Sequence, residues 1–503
     1  MSYKHLPVWL RPCFLYLGLF PEDSKIDVAS LIKLWVAEGF IKPTKSQSME
    51  QVAESYIRDL VGRNLLLVES KREIVTIHDL VGELCGVFEY KTVTIHDIVR
   101  ELCIKTAEKE NFYCVQRDLN GGCEFIRDEK SAYFYPQESV SFSENPIVMR
   151  IGQRQASCEC RLSRVLIDKD WLDTCEQVNL RYLYQDFGTS PIPSSIALCW
   201  SLQTLNTEVA NTVVLPSEIW NMPQLRHIIG GCMRVSDPPP GDILVLHNLQ
   251  TLVAVENLVM SEEVCSRIPN IRVLGVVYRS SGEQVEQSWS SHLHNLVWLS
   301  KLESLELSHF GEPYVGDPFE KLQLPNSLKE LTLINCNIAW SGMGMIASLP
   351  HLEFLQLNGE AVVGPEWNFD EEIFHGLKRL IICHNHNLVN WTADCSNFPL
   401  LETLLLWNVP NLDEIPLEIG EIPTLENIIV VECSESVNKS ARKIIEEQED
   451  MGNLALRVVF SSGSDKLWWT HKSALERIEE EDHEEQIRTL TFTTGADCSA
   501  KAS

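Results

Sequence analysis

The sequence lacks the cysteine spacing and the long apolar runs that mark several classes of protein. None of its 16 cysteines forms a Cys-x-x-Cys pair, and only Cys158 and Cys160 come close in sequence. Scattered thiols favour a reducing compartment over a disulfide framework, and they predict no bound metal. No apolar run approaches the roughly 18 to 20 residues of a membrane-spanning helix. The composition therefore predicts a cytoplasmic protein without a transmembrane segment, and peripheral attachment to membranes is the alternative.

Positive charge is also scarce. The chain has 42 lysines and arginines against 71 aspartates and glutamates, which gives a net charge of −29. Such an excess repels phosphate backbones, so nucleic acid is not a predicted partner. The chain has no Gly-x-x-x-x-Gly-Lys-Ser/Thr loop, and no nucleophile with a base and an orienting residue stands out. We therefore predict that the chain is not an enzyme.

One pattern recurs from residue 160 onward: a leucine, two residues, a leucine, one residue and a leucine. Successive units are 22 to 31 residues apart, which is typical of leucine-rich repeats. Each unit offers one short strand that must stack on the next to leave water. We predict a parallel β-sheet horseshoe over residues 161–455, with one earlier unit near Leu162 and the others beginning at Leu180, Leu202, Leu225, Leu249, Ile271, Leu302, Leu328, Leu352, Leu377, Leu401 and Leu425.

Single residues within the repeats carry structural predictions. Cys336, Asn385 and Cys433 follow their strands at the point where the chain turns away from the sheet, so they are expected to bond turning backbone. The longest step, between Ile271 and Leu302, contains serines and a glycine at residues 280–282 and predicts a loop insertion.

The first 112 residues follow another plan, with three helical runs, two short strands and a further helix. This order predicts a winged-helix-like domain, so the fold class is α/β. Residues 113–160 show no clear period and predict a linker or an irregular repeat cap, and residues 456–503 predict an acidic tail. The helical runs cover residues 6–19, 28–38 and 49–61, the strands cover residues 65–68 and 74–77, and Gly39 is a predicted helix C-cap.

A block of sequence is duplicated within this domain. VTIHDL at residues 75–80 recurs eighteen residues later as VTIHDI at residues 93–98, and GELC at residues 82–85 matches RELC at residues 100–103. Each copy predicts a strand that leads into a helix, with Asp79 and Asp97 as N-caps. His78 and His96 would then precede helix N-termini that favour an anion such as phosphate. The alternative is that each Asp only caps its helix and each His packs beneath the wing.

Three segments resemble the winged-helix end of the NB-ARC region of plant coiled-coil NLR disease resistance proteins. They are RPCFLYLGLFPED at residues 11–23, LIKLWVAEGFI at residues 31–41 and YIRDLVGRNLL at residues 56–66. The likeness is to the late-blight-resistance type, and with the repeats it covers roughly residues 5–455. It implies a plant defence receptor with NB-ARC, winged-helix and leucine-rich-repeat parts.

In that family a His-Asp pair contacts the β-phosphate of bound ADP and helps to keep the receptor off. The resemblance carries this role to His96 with Asp97, and His78 with Asp79 is the rival copy. The family's nucleotide-binding loop and coiled coil would precede residue 1, so most of the phosphate cradle is absent from this chain. We expect no stable ADP or ATP binding and no hydrolysis by this chain, whereas a full-length parent would bind both nucleotides.

The late repeat strands predict an apolar patch. Residues between the leucines alternate toward the concave side of the sheet. Our hypothesis is that this patch contacts a partner protein or docks the switch region, and the alternative is that the C-terminal segment with Trp468 and Trp469 folds over it. The predicted members are Ile381, Cys383, Leu405, Trp407, Ile429 and Val431.

The leading functional prediction is an immune receptor whose repeats sense a pathogen effector or a guarded host protein, leading to defence and the hypersensitive response. The NB-ARC and coiled-coil regions would be its partners in cis. A repeat scaffold, such as a ubiquitin-ligase adaptor, is the second class, but residues 14–23 do not supply an F-box-like start. An extracellular ectodomain would need a signal peptide and disulfide caps, and a winged-helix DNA binder would need basic charge.

Overall fold

The computed structural model describes most of the chain between residues 3 and 470. Residues 70–90 are described by their backbone alone. Within the described span, the gaps are residues 21–23, 45–46, 80–81, 111–113, 118–122, 127–132, 137–148, 151–163, 169–178, 186–190, 208–211, 237, 239–243, 280–289, 311–321, 370–371, 454 and 462–467.

Four helices form the framework of the first domain. They are α1 Arg11–Tyr16, α2 Val28–Glu38, α3 Met49–Gly62 and α4 Asp97–Lys109, with short 3-10 turns at Tyr3–His5 and Leu17–Leu19. The run predicted as one helix over residues 6–19 is therefore broken into turns around α1. Gly39 ends α2 at a φ of 79°, and its N–H bonds the helix carbonyls, so the predicted cap is confirmed.

The wing is an antiparallel hairpin that is much longer than predicted, and the two strands predicted over residues 65–68 and 74–77 both overlap its first strand. Its strands are β2 Leu67–Asp79 and β3 Gly82–Thr94, and the short strand β1 Ile26–Asp27 pairs with the end of β3. The helix predicted to begin at Asp79 is wrong, because GELC at residues 82–85 continues the hairpin. These strands and α1 to α4 together make the predicted winged-helix domain.

The stretch predicted as a linker or irregular cap contains a second antiparallel sheet. Its strands are β4 Cys114–Arg117, β5 Cys123–Ile126, β6 Tyr133–Pro136 and β7 Met149–Arg150, paired in chain order.

The repeats supply the largest sheet, in which thirteen of fifteen strands are parallel neighbours in chain order. Between strands lie 3-10 turns and the helices α5 Glu262–Arg267, α6 Met343–Ala347 and α7 Glu435–Asp450. The fifteen strands of this sheet are β8 Val165–Asp168, β9 Tyr182–Gln185, β10 Thr204–Thr207, β11 Val213–Leu215, β12 His227–Gly230, β13 Met233–Val235, β14 Thr251–Glu256, β15 Val273–Arg279, β16 Ser304–Phe310, β17 Glu330–Ile334, β19 Phe354–Asn358, β22 Arg379–Cys383, β24 Thr403–Trp407, β25 Asn427–Val431 and β26 Arg457–Ser461. Four short strands form two separate pairs, β18 Ile338–Ala339 with β20 Val362–Val363 and β21 Glu366–Asn368 with β23 Asn390–Thr392. The last strand, β27 Trp468–Thr470, pairs with β2 of the wing.

The repeat leucines stack in register, as the solenoid prediction requires. Leu305, Leu331 and Leu355 pair in adjacent strands, and each is almost fully buried. One contiguous core runs behind the sheet from the second repeat to α7. The sheet ends at β26 and so extends beyond the predicted repeat boundary at residue 455. The loop insertion predicted at residues 280–282 lies outside the described residues.

The three turn residues bond backbone as predicted. The Asn385 amide donates to the carbonyl oxygen of Val362 at 2.8 Å, and its oxygen accepts the N–H groups of Asn387 and Leu388. The Cys336 and Cys433 thiols donate to carbonyl oxygens of the preceding strands. These residues hold the turn that leaves the sheet, which is a structural role.

The winged helix and the first repeats share one hydrophobic core. Val165 on β8 and Tyr182 and Tyr184 on β9 are buried in the same cluster as the apolar residues of α1, α2 and α3. The two modules are therefore packed against each other, and polar contacts between them are shielded from water.

Candidate functional site

The second His-Asp copy lies at the start of α4. His96 itself is the N-cap, and its Nδ1 accepts the N–H of Ile98 at 3.3 Å. Asp97 is the first residue of the helix, so its predicted role as N-cap is wrong. His96, Asp97 and Ile98 are all exposed, and Ile98 keeps 73% of its surface. The residues that resemble the family's ADP contact therefore lie on an open helix end.

The first copy lies in the wing. His78 is opposite Glu83 and Asp79 is opposite Gly82 in the pairing of β2 with β3. Asp79 is therefore the last residue of a strand and not an N-cap, and the two copies occupy different kinds of secondary structure.

Contacts with the first helix and the turn after it decide which copy forms α4. Arg100 Nε donates to the carbonyl oxygen of Phe20 at 2.6 Å, and the Cys103 thiol donates to the carbonyl oxygen of Phe14 at 3.2 Å. Ala107 is fully buried on the same helix. This position beside α1 holds one helix, so the two copies compete for it.

The first copy lacks most of the residues that make these contacts. At the three corresponding positions it has Gly82, Cys85 and Glu89. Gly82 has no side chain to donate, and glycine weakens a helix by about 1 kcal/mol relative to alanine. Glu89 would bury a carboxylate where the second copy has a methyl group, which is costly without a partner. The second copy is therefore the better helix, and it carries His96 to the helix end.

A groove of about 650 Å³ adjoins this helix end. Two of its lining residues are basic, but Arg63 pairs with Asp59 at 2.7 Å and Lys105 pairs with Glu101 at 2.6 Å. Glu101 also lines the groove, and the remaining lining residues are Asn64, Leu65, Ile98, Val99 and Leu102.

These residues do not fit a nucleotide by themselves. One imidazole and one helix N-terminus are available, and the nearby carboxylate of Asp97 opposes an anion. A diphosphate site needs several converging N–H groups or cations. Within the described residues, no group of His, Cys, Asp and Glu could hold a metal ion.

A buried carboxylate joins the winged helix to the repeats. Glu50, in the first turn of α3, accepts Arg226 Nε and Nη2, each at 2.7 Å. Gln250 Nε2 donates to the same carboxylate at 3.1 Å, and His227 Nε2 approaches it at 3.5 Å. The Arg226 side chain is 8% exposed and that of Glu50 16%. A bidentate, shielded pair of this kind fixes the relative orientation of the two modules. We call these four residues the Glu50 clamp.

Protonation of the clamp follows from its surroundings. Burial by itself raises the pKa of Glu50, but the nearby His227 ring and the hydrogen bonds and charge of Arg226 outweigh it and hold the pKa well below its usual range. Burial lowers the pKa of His227 to about 4, so the ring is neutral at neutral pH. With its proton on Nε2, the ring can accept the Thr251 hydroxyl at Nδ1, 3.0 Å away.

Two further arginines hold the C-terminal end of α2. Arg164 donates to the carbonyl oxygen of Glu38 at 2.9 Å, and Arg181 donates to that of Ala37 at 3.3 Å. Cations at a helix C-terminus bond the free carbonyls and interact favourably with the negative end of the helix dipole. The first repeats therefore contact both α2 and α3 through basic side chains.

The sequence carries a signal for the clamp in the residues that open the repeats. Arg181, Arg226 and Arg272 each follow the first apolar residue of a repeat, and later repeats have Glu303 and Lys329 at that position. The later positions pair with one another, with Arg272 and Lys329 bonding Glu303 at 2.7 and 3.1 Å. Around Arg226 the same position is occupied by the neutral Gln203 and Gln250, so its partner had to come from another part of the chain.

The late repeats bring the predicted patch together. Ile381, Cys383, Leu405, Trp407, Ile429 and Val431 form one cluster with Phe354, and Val459 packs against it. Its members are 0 to 8% exposed, so the patch is covered in the structure. Trp468 and Trp469 lie on β27, which pairs with residues 71–73 of the wing strand β2.

Comparison with known proteins agrees with this architecture. A family model of the disease resistance protein winged helix domain matches residues 19–85, and one of a leucine-rich repeat region matches residues 160–364. The chain therefore has the two modules of a plant disease resistance protein. The late blight resistance protein R1-A of Solanum demissum is 30% identical over 494 residues, and the homolog R1B-8 is 31% identical over 478.

These matches cover 91% and 89% of this chain but 37% and 38% of the two relatives. The chain is therefore similar over most of its length to the R1-type late blight resistance proteins, and it spans between a third and two fifths of the length of those two. Among solved structures, a repeat protein of Leptospira interrogans has a TM-score of 0.34 at 16% identity, over 60% of this chain and 86% of that one. The fold assignment rests on the sheet itself and not on that likeness.

The winged-helix match bears on the two His-Asp copies. It ends at residue 85 and so includes His78 and Asp79, whereas His96 and Asp97 lie beyond it. The structure gives the helix position to the second copy. In the part of the chain that is described, no helix is both long and apolar enough to cross a membrane.

Proposed function

We propose that this chain is the winged-helix and repeat portion of a cytoplasmic plant immune receptor, acting by binding and not by catalysis. The repeats would recognise a pathogen effector or a guarded host protein, and the winged helix would pass that event to a nucleotide-binding region. The observation that carries the proposal is the Glu50 clamp together with the shared core, because it couples the repeats mechanically to the winged helix.

We propose no stable nucleotide binding by this chain alone. His96 is the residue that would face a phosphate, but its ring already caps α4 and the nearby cations are paired. ADP or ATP would therefore need a phosphate loop from outside this chain. The expected result of a titration with ADP is no saturable binding.

The clamp offers the test of the receptor role. The chain would replace the matching part of the late blight resistance protein R1-A, and cell death would be scored after expression in leaves. Glu50→Arg puts two cations together at the clamp, so we expect cell death without any effector. Glu54→Arg is the matched control, because Glu54 is an exposed residue of the same helix.

The charge-swapped double variant Glu50→Arg with Arg226→Glu restores opposite charges across the interface, and we expect it to be quieter than Glu50→Arg alone. If Glu50→Arg accumulates normally and stays as quiet as the Glu54 control, the clamp does not control signalling and the proposed coupling is wrong.

A further inference from the structure

The length of the wing hairpin relates it to the repeat sheet. Strands β2 and β3 have thirteen residues each, which corresponds to roughly 43 Å at about 3.3 Å per residue. The extra length is the duplicated block, since the first copy supplies the far end of the hairpin. A hairpin of this length reaches well beyond the winged-helix core.

The hairpin has the reach to arrive at the late repeats. Its base belongs to the core that includes Val165 on β8. From β8 to β19 there are eight steps between neighbouring strands, or roughly 38 Å at about 4.8 Å per step. Cα atoms of β3 do lie within 8 Å of Cα atoms of β19. Strand β19 contains Phe354, the first member of the late-repeat patch.

The patch itself requires a cover. Its members occupy the strand positions that alternate with the core leucines, and these positions face away from the repeat core. Leu405, Ile429 and Cys383 are nevertheless only 2%, 1% and 0% exposed. Apolar side chains on the open side of a sheet reach such burial when another segment lies over them.

One face of the hairpin has matching chemistry. Opposed residues of an antiparallel pair share a face, so Ile77 and Leu84 lie on the same face, together with Val75 and Phe88 two and four positions away along their strands. The other face has Thr76 and His78 near the tip, with Ile74 opposite Val87 farther back. Asp79 at the tip and Glu73 opposite Phe88 belong to the first face, so its apolar stretch is the short one formed by Val75, Ile77 and Leu84 with Phe88 at its edge.

We propose that the wing hairpin is an arm that seats its apolar face on the late-repeat patch of the same chain. The duplication has thus given its two copies different tasks: the second forms the helix with His96, and the first closes the concave surface. A protein partner that uses this part of the repeats must displace the arm. Only that last consequence rests on the proposed function, since the contact itself does not depend on any partner.

Cys383 is a natural reporter of the cover, and Cys336 is its control. Cys383 belongs to the patch, whereas Cys336 lies in the core behind the sheet, at 2% exposure. Removal of residues 74–91 leaves the register pairs from 67–69 to 92–94, a four-residue turn and the second His-Asp copy. We expect maleimide to label Cys383 at least tenfold faster in this variant, by mass spectrometry of the full chain, with Cys336 unchanged.

Other outcomes are also decisive. If Cys383 is labelled as slowly as Cys336, the arm is not the cover. If Cys383 is labelled faster only after truncation of the chain beyond Ser461, the C-terminal segment is the cover.

If both thiols are labelled faster, the deletion has opened the repeats, and paired substitutions in the hairpin then test whether the arm is the cover. Ile77→Lys with Leu84→Lys should expose Cys383, whereas Thr76→Lys with His78→Lys should not. Equal effects from the two faces would overturn the proposal.

Discussion

At the first repeats, residues at the start of strand β12 meet the winged helix through charge. Arg226 and His227 surround one carboxylate, and each has less than a tenth of its side chain exposed. At the last repeats, the strand residues that face away from the repeat core are apolar, with Leu405 and Ile429 buried in a separate cluster. The two regions share one backbone architecture, so the difference lies wholly in the residues between the leucines.

This difference separates two tasks. A bidentate ion pair is directional and fixes one orientation, but its net contribution to stability is small because both charges lose water. An apolar contact gains free energy in proportion to its area and is less selective about register. The early region should therefore be sensitive to charge and pH, and the late region should be sensitive to side-chain volume.

The largest effect is expected at the early region. Glu50→Ala leaves the buried Arg226 without its carboxylate, and breaking one side of a buried pair costs about 3 to 5 kcal/mol. Urea unfolding should show this loss, and Glu54→Ala should change stability by less than about 0.5 kcal/mol. A double-mutant cycle with Arg226→Ala should recover much of the loss, and strictly additive losses would contradict a direct pair.

Acidification should weaken the same region. Burial lowers the pKa of His227 from 6.5 to about 4. Between these pH values, His227 therefore binds a proton when the two modules are separated or unfolded, but not when they are docked. The contribution of His227 to the free energy of unfolding should therefore be fully present above pH 6.5 and should decrease as the pH drops toward 4, by about 3 kcal/mol at most. Urea unfolding at a series of pH values measures this slope. His227→Gln should reduce the dependence of unfolding free energy on pH between pH 6.5 and 5. An unchanged dependence would mean that other groups cause it.

The late region should respond to volume instead. Leu405→Ala removes buried methyl groups between the sheet and its cover, and we expect a loss of about 2 kcal/mol, near the low end for such changes because the arm can settle. Leu400, which is 44% exposed, provides the control and should lose little on substitution by alanine. The loss of unfolding free energy caused by Leu405→Ala should be the same at pH 6.5 and at pH 5. A strong dependence on pH would contradict the proposed difference between the two regions.

The regular parts of the molecule could be predicted from the sequence because local rules specify them. Leucine spacing predicted the strands, and the residues after them, such as Asn385, predicted the turns. The Glu50 clamp could not be found in this way, since Glu50 and Arg226 are 176 positions apart and only the packed domains bring them together. The prediction that both copies of the duplicated block begin a helix was wrong for another reason. Nearly identical sequences formed a hairpin and a helix because one helix position was available.

The smallest expected effect distinguishes these two copies directly. His96→Ala removes the ring nitrogen that accepts the Ile98 N–H, so α4 should lose about 0.5 to 1 kcal/mol. His78→Ala, the same substitution in the other copy, removes no helix cap because residue 78 lies within β2. Hydrogen exchange in the first turn of α4 provides the measurement, since a lost cap speeds opening there by about two- to fivefold. Faster exchange with His78→Ala and none with His96→Ala would mean that the first copy forms the helix, as the extent of the winged-helix match to residue 85 would then suggest.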